Sequence, residues 1–115
     1  MQPSLITFVE ATTFTSKITR LGLESDLHDL QIELIQKPDR GKIDSNTGGL
    51  RKIRLSDSTR SKGKRGGARA HYVWLPNLKR IYLLFVYGKG EQDSLTASQK
   101  KLLKQVVERI RREAN

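Results

Sequence analysis

The sequence predicts a small α+β domain in which an antiparallel sheet packs against helices. Runs rich in β-branched and aromatic residues occupy the middle of the chain, whereas apolar residues recur every three or four positions nearer its two ends. The length of 115 residues suffices for one domain with a single core, which we assign to residues 1–115. The predicted order of elements is β-α-α-β-β-β-α.

A short strand and a helix are predicted at the start of the chain. Leu5–Val9 is a β-rich run and indicates a strand. Threonines at positions 12, 13 and 15 then offer side-chain oxygens that can cap a first helix. The apolar residues of this helix are Phe14, Ile18 and Leu21, and Gly22 is expected to end it.

A second helix follows, and Ser25 or Asp26 can cap it. Leucines at positions 27, 30 and 34 fall on one face of this helix. Lys37-Pro38 is expected to end the helix, because the residue before a proline disfavours helical backbone. Residues 39–49 are polar, contain three glycines and show no clear periodicity, so we assign no element to them.

The first strand of the central sheet is predicted at Leu50–Leu55. Side chains alternate between the two faces of a strand. Ile53 and Leu55 therefore share one face, and Lys52 and Arg54 share the other. The strand thus has one apolar face and one basic face.

The next two strands are predicted at Ala68–Leu75 and Arg80–Tyr87, with a Pro-Asn turn signal between them. In the first of these strands, Arg69 and His71 share a face. The second is apolar on both faces, which is typical of a central strand. Because the three strands follow one another closely, we expect an antiparallel meander with helices on one face and basic residues on the other.

A last helix is predicted near the end of the chain. Thr96 and Gln99 stand in the arrangement of a capping box, in which each side chain accepts a hydrogen bond from the other residue's backbone. The apolar residues of this helix are predicted to form a single stripe. They are Leu102, Leu103, Val106, Val107 and Ile110.

The net charge of +10 is concentrated in the predicted sheet. Of 22 basic and 12 acidic residues, eleven basic residues and one acid, Asp57, lie between positions 50 and 90, so the rest of the chain balances. If Arg69 pairs across from Lys52 and Arg54, three cations converge, and their repulsion is unfavourable unless a phosphate neutralises it. The alternative is a solvated strand face. The concentration of charge favours a nucleic acid as partner.

A basic loop adds to this charge. The predicted loop between positions 56 and 67 contains glycines, whose backbone N–H groups can approach an anion closely. A flexible connector is the alternative interpretation. With Arg51, the four cations of the loop form the predicted RNA-binding set: Arg60, Lys62, Lys64 and Arg65.

Three side chains are candidates for proton transfer. Tyr87 and Lys89 stand at the end of the last strand, and the alternatives are a core tyrosine and a solvated turn charge. His71 on a cationic face is expected to have a lowered pKa and to act as a neutral acid–base group. The alternative for His71 is a structural role.

Several other classes of protein are disfavoured. The longest apolar run, Ile81–Tyr87, is too short to span a membrane, and the N-terminus lacks the pattern of a secretory signal. Because the chain has no cysteine, disulfides, a thiolate nucleophile and cysteine zinc sites are excluded. His28 and His71 lack a metal-ligand spacing. We therefore expect a soluble cytoplasmic protein without a metal or other cofactor.

Three segments resemble the RelE/ParE superfamily of bacterial type II toxins, and within it the HigB-type toxins. They are GGLRKIRL, SKGKRGGARAHYVWL and RIYLLFVYGKGEQDSLTASQKKLL. They cover about half of the chain, and the preceding strand and helices also fit. The resemblance implies a metal-independent, ribosome-dependent endoribonuclease that cleaves translated mRNA and so inhibits translation and growth. In this reaction a ribose 2′-hydroxyl attacks the adjacent phosphate.

The resemblance also implies roles for individual residues. Lys52 and Arg54 match a pair of basic residues on the family's second strand, and Arg69 matches a phosphate-binding arginine on its third. Lys89 lies in the segment after the fourth strand, which contributes active-site residues. The chain has Gly90 where the RelE pattern has an arginine, and it lacks the late tyrosine of that pattern. Tyr87 and Lys89, with His71 behind them, are the substitutes that we expect.

The resemblance further implies partners. These are a cognate antitoxin with a helix-turn-helix domain, operator DNA bound through that antitoxin, ribosomal RNA and mRNA. No membrane partner is expected. Two alternatives remain open: a ParE-like gyrase-inhibiting toxin, and a non-catalytic nucleic-acid-binding module that uses the same basic face.

Overall fold

The fold is α+β, as the sequence predicts. The computed structural model describes residues 5–56 and 67–114, and this part of the chain forms three helices and a five-stranded sheet. The elements are β1 (Thr7–Glu10), α1 (Thr12–Leu21), α2 (Glu24–Gln36), β2 (Lys42–Ile43), β3 (Arg51–Leu55), β4 (Ala68–Leu75), β5 (Arg80–Gly88) and α3 (Ala97–Glu113). A 3-10 turn, Pro76–Leu78, joins β4 to β5.

The sheet is mixed rather than purely antiparallel. Its strand order is β1-β5-β4-β3-β2, and β3, β4 and β5 form the predicted antiparallel meander. β1 instead runs parallel to β5, with Phe8 opposite Ile81. Only Ala11 separates β1 from α1, so the chain continues from β1 into a helix and not into a hairpin. β1 therefore has no antiparallel neighbour from the next segment of the chain. The prediction of an antiparallel sheet is therefore wrong at this edge strand.

The structure contains one strand, β2, that the sequence does not predict. It lies in the polar stretch at positions 39–49 and pairs antiparallel with the start of β3. The backbone N–H of Asp44 donates to the carbonyl of Leu50 at 2.8 Å and closes the turn between the two strands. A strand of two residues is too short to show an alternating pattern, which explains why the sequence analysis missed it.

Helices pack on both faces of the sheet, not on one face as predicted. Phe14 of α1 and Leu34 of α2 share a buried cluster with Ile81, on what we call the α1–α2 face. Val107 of α3 shares a second cluster with Val73, on the opposite face, which we call the α3 face. β5 explains the difference, because a strand that is apolar on both faces needs an apolar cover on both.

The first two helices begin without a side-chain cap. Gly22, with φ of 69°, turns the chain directly from α1 into α2, and the N–H of Leu23 donates to the carbonyl of Ile18 at 3.1 Å. Because this turn is so tight, α2 has already begun before Ser25 and Asp26. The predicted caps at these two residues and at the threonines of α1 are therefore wrong.

The start of α3 is as predicted, but its apolar stripe is not. The side chains of the Thr96–Gln99 capping box accept each other's backbone N–H groups at 3.1 and 2.9 Å. Leu103 and Val107 are buried, whereas Leu102 and Val106 are 63% and 42% exposed. The sheet therefore covers one side of the stripe only.

Tyr72 fastens the segment before β2 to the sheet, and we predict that removing its hydroxyl destabilises the fold. The side chain is fully buried, and its hydroxyl donates to the carbonyl of Pro38 at 2.8 Å and accepts the N–H of Gly41 at 2.9 Å. Tyr72→Phe leaves both groups without this partner, so we expect the free energy of unfolding in urea to fall by about 1–3 kcal/mol. Tyr82→Phe is the matched control, because the Tyr82 hydroxyl is only partly buried. An equal loss in both variants would contradict this account.

Candidate nucleic-acid interface

The register of β3 and β4 brings the predicted strand cations together. Arg54 lies directly opposite Arg69, and Lys52 lies opposite His71. Opposing residues point to the same side of a sheet, so the three cations share one face, as predicted; this is the α3 face, however, and not a face without helices. Like charges directly opposite each other destabilise a sheet. This arrangement is therefore one that a bound anion stabilises.

β2 adds a second pair of like charges beside the first. Lys42 lies directly opposite Lys52, on the same face. The pairs Lys42–Lys52 and Arg54–Arg69 are thus neighbours, and we call these four residues the cation array. Within the array, Lys52 and Arg69 are partly buried while Lys42 and Arg54 are exposed.

The cation array lines an open cavity of about 690 Å³. The wall is formed by Glu33, Arg40, Gly41, Lys42, Lys52, Ile53, Arg54, Arg69 and Asp93. Five of these residues are cations and two are carboxylates. The cavity lies beside β3, which β2 pairs with only at its first two residues. Its size and its excess of positive charge suit a ligand that carries phosphate.

The cation array is not neutralised by carboxylates of the described residues. Ion pairs in this part of the chain join Lys17 to Glu91, Arg40 to Glu33 and Lys100 to Asp44, at 2.6, 3.4 and 3.4 Å. Across residues 5–56 and 67–114, no ion pair includes a member of the array. Four clustered cations without such partners repel one another, and a polyanion removes that repulsion.

His71 and Tyr87 lie beside the cation array on the same face of the sheet, but both side chains are buried. The two residues are 0% and 1% exposed, and the Tyr87 hydroxyl lies 3.4 Å from Nε2 of His71. Burial lowers the pKa of His71 to about 4, with Lys52 adding to this effect and Asp44 opposing it, and burial also raises the pKa of Tyr87. His71 is therefore neutral at pH 7, but chiefly because of burial rather than because of neighbouring cations. Both side chains are buried rather than exposed on the basic face, and their direct role in proton transfer stays a prediction.

Lys89 lies outside the cavity wall. It is exposed in the turn after β5, and its backbone N–H donates to the carbonyl of Gly67 at 3.2 Å. Glu91 holds the same turn by accepting the N–H of Gly88 at 2.9 Å and the ammonium of Lys17 at 2.6 Å. The bond from Lys17 lowers the pKa of Glu91 below its usual value. The backbone of this turn is thus fixed while the Lys89 side chain faces solvent.

Arg51 is not part of the cation array. It lies opposite Tyr72 on the α1–α2 face. Its guanidinium donates to the carbonyls of Asp39 and Gly41 at 3.1 and 2.7 Å, so its donors stabilise the chain before β2. These bonds place Arg51 on the face opposite the cation array, and its role in RNA binding stays a prediction.

The loop cations fall outside the described residues, so their predicted role in RNA binding stays a prediction. They are Arg60, Lys62, Lys64 and Arg65. The ends of the loop are described, because Leu55 pairs with Ala68 one position beyond the Arg54–Arg69 pair. The chain that carries these four cations therefore leaves and re-enters the sheet beside the array.

Four charged residues of the cavity wall were not identified from the sequence: Glu33, Arg40, Lys42 and Asp93. Arg40 and Lys42 are two positions apart, but β2 contains only Lys42 and Ile43, so no alternating pattern marks the strand. Asp93 stands in the segment between β5 and α3, where no periodicity marks it. The position of Asp93 in the cavity wall depends on how α3 packs against the sheet.

Two further features of the described part of the chain bear on the kind of site. No group of three or more His, Asp or Glu side chains in residues 5–56 and 67–114 is arranged to hold a metal ion. None of the helices in these ranges is long and apolar enough to cross a membrane. Comparison of the whole chain with models of known protein families finds no match.

Proposed function

We propose that this protein is the toxin of a type II toxin–antitoxin pair, a HigB-type member of the RelE/ParE superfamily that cleaves translated mRNA on the ribosome. The observation that carries the proposal is the cation array. Its two adjacent pairs of like charges lack carboxylate partners within the described residues and line one cavity. A phosphate backbone supplies the missing negative charge. The sequence resemblance favours this reaction over other ways of binding RNA.

The proposed reaction is the attack of a ribose 2′-hydroxyl on the adjacent phosphorus. The O2′–P bond forms as the P–O5′ bond breaks, which leaves a 2′,3′-cyclic phosphate and a 5′-hydroxyl. Negative charge grows on the non-bridging oxygens in the transition state. Arg54 and Arg69 carry planar guanidinium groups that can each hold two of these oxygens.

The reaction also requires two proton transfers. A base takes the proton of the 2′-hydroxyl, and an acid gives a proton to O5′. The exposed Lys89 after β5 is the candidate for one of these transfers that is able to meet substrate. The buried His71–Tyr87 pair lies beside the array, on the same face of the sheet.

The proposal includes the partners of such a toxin. Ribosomal RNA and mRNA supply the phosphates that the array binds. A co-encoded antitoxin with a helix-turn-helix domain neutralises the toxin and carries the pair to operator DNA. The cytoplasm, where ribosomes translate, is the proposed site of action.

Induced expression in bacteria without an antitoxin tests the proposal. We expect growth to stop and mRNA on translating ribosomes to be cut within reading frames, leaving 2′,3′-cyclic phosphate ends. Expression of Arg69→Ala at the same level is the control and should leave mRNA intact. Halted growth with intact mRNA and gyrase-linked DNA breaks would replace the proposal with gyrase inhibition. Intact mRNA and DNA with retained RNA binding would indicate a non-catalytic module.

A further inference from the structure

The Lys42–Lys52 pair supplies more positive charge than one bound phosphate requires. Arg54 and Arg69 form a complete pair of forks for the oxygens of a single phosphate. Lys42–Lys52 lies on the same face, displaced by one strand and by two residues along β3. From the spacing of strands and the rise per residue, the centres of the two pairs are about 8 Å apart. Flexible lysine side chains can span that distance to the neighbouring phosphate of the same strand.

The backbone holds Lys42 against β3. Gly41 passes so close to β3 that a Cβ there would lie 2.9 Å from the carbonyl oxygen of Lys52. The N–H of Gly41 donates to the Tyr72 hydroxyl at 2.9 Å. β2 is therefore fixed beside β3, which keeps the backbone of Lys42 directly opposite that of Lys52.

A lysine on an edge strand commonly serves to discourage pairing with another chain. Two observations set Lys42 apart from that role. Its partner Lys52 is partly buried rather than fully solvated, and both lysines line the same cavity as the arginine pair. Arg40, the remaining cation of the wall, already pairs with Glu33 at 3.4 Å. Among the described residues, no carboxylate forms an ion pair with either lysine of this pair, which lies beside the arginines in the wall.

We propose that Lys42 and Lys52 bind the phosphate next to the one held by Arg54 and Arg69, so that the site recognises two consecutive phosphates of a single-stranded nucleic acid. This proposal rests on the proposed function in one respect only, which is that the phosphate bound by Arg54 and Arg69 is identified as the one that is cleaved. Lys42 is then a positioning residue that holds the strand in register without touching the reacting atoms. Its loss should raise KM far more than it lowers kcat.

Binding of a short oligonucleotide tests the two-phosphate site directly. The probe is a fluorescent tetranucleotide with 2′-O-methyl groups, which the proposed reaction cannot cleave. Lys42→Gln should reduce the slope of log K against log salt by about 0.7, the value expected when a protein neutralises one phosphate fewer on a single strand. Lys42→Arg should restore the slope. Lys101→Gln, on the exposed side of α3, is the matched control for removal of one charge.

Neutral methylphosphonate groups then locate each contact. Replacing the phosphates of the probe one at a time should reveal one position at which Lys42→Gln has no further effect. When the adjacent phosphate is replaced instead, Arg69→Ala should have no further effect on binding. Two results would overturn the inference. The first is that each protein substitution weakens binding further at every methylphosphonate position; the second is that a single methylphosphonate position removes the effects of both Lys42→Gln and Arg69→Ala. If this pattern appears in a protein that cuts no mRNA, the two-phosphate site stands and the proposed function fails; cleavage without the pattern means the reverse.

Discussion

Arg69→Ala is expected to lower the rate of single-turnover mRNA cleavage on the ribosome by about 10²–10³-fold, the effect of removing one donor that stabilises an oxyanion. Arg69 is the partly buried arginine of the array, directly opposite Arg54, where charge on a phosphate oxygen is least shielded by water. Binding should fall much less, because the remaining array and the predicted loop contacts still hold the strand. The rate is therefore measured at matched ribosome occupancy.

Two comparisons separate this role from a general loss of charge. Arg109→Ala removes one exposed arginine from α3 and should cleave at the wild-type rate. Arg69→Lys keeps the charge but loses the planar fork, so its rate should lie between those of wild type and Arg69→Ala. Lys89→Ala tests the exposed proton-transfer candidate in the same assay. Wild-type cleavage by both Arg69→Ala and Lys89→Ala would place the reaction elsewhere on the protein.

The face on which each strand residue lies could be predicted from the sequence, because side chains alternate with a fixed period of two. That rule places Lys52 and Arg54 on one face of β3 without knowledge of the helices, whereas the place of Arg69 beside them depends on the register of β3 and β4. The meander follows from short connections between strands. The capping box of α3 is equally local, since both partners lie within one turn of the helix.

What could not be predicted depends on contacts between distant segments. Alternation gives the face of His71 and Tyr87 but not their depth, which is set by packing against α3 and Phe85. β2 is too short to carry a pattern, although it completes the cation array with Lys42. The parallel pairing of β1 joins residues more than 70 positions apart, and no local signal specifies that partner.

The net charge of a segment also differs from the charge that its side chains make available to a ligand. The sequence counts Arg51 with the other cations, but its guanidinium binds two backbone carbonyls on the opposite face. Lys42 was overlooked in a polar stretch, yet its position opposite Lys52 leaves it without a carboxylate partner in the described chain. Which cations remain available to a ligand therefore depends on register, and register is a property of the fold.

Stability of the folded protein is expected to fall between pH 6.5 and pH 4 because of His71. The residue is fully buried, its Nδ1 has no hydrogen-bond partner among the described residues, and burial lowers its pKa from 6.5 to about 4. In this pH window the unfolded chain binds a proton at His71 and the folded chain does not. The free energy of unfolding therefore decreases as the pH falls, by about 3 kcal/mol over the whole window, and the loss ends once the folded form is also protonated.

Urea denaturation at a series of pH values measures this effect as a difference between variants, since carboxylates titrate in the same range. Subtracting the curve of His71→Gln from that of the wild type should leave a loss of about 3 kcal/mol between pH 6.5 and pH 4. The variant lowers stability at every pH because it disturbs the core, but that offset does not depend on pH. His28→Gln removes the exposed histidine of α2 and should keep the wild-type pH dependence. If the His71→Gln and wild-type curves run parallel, His71 binds its proton as readily in the folded protein as in the unfolded chain, and a desolvated histidine beside the cation array is ruled out.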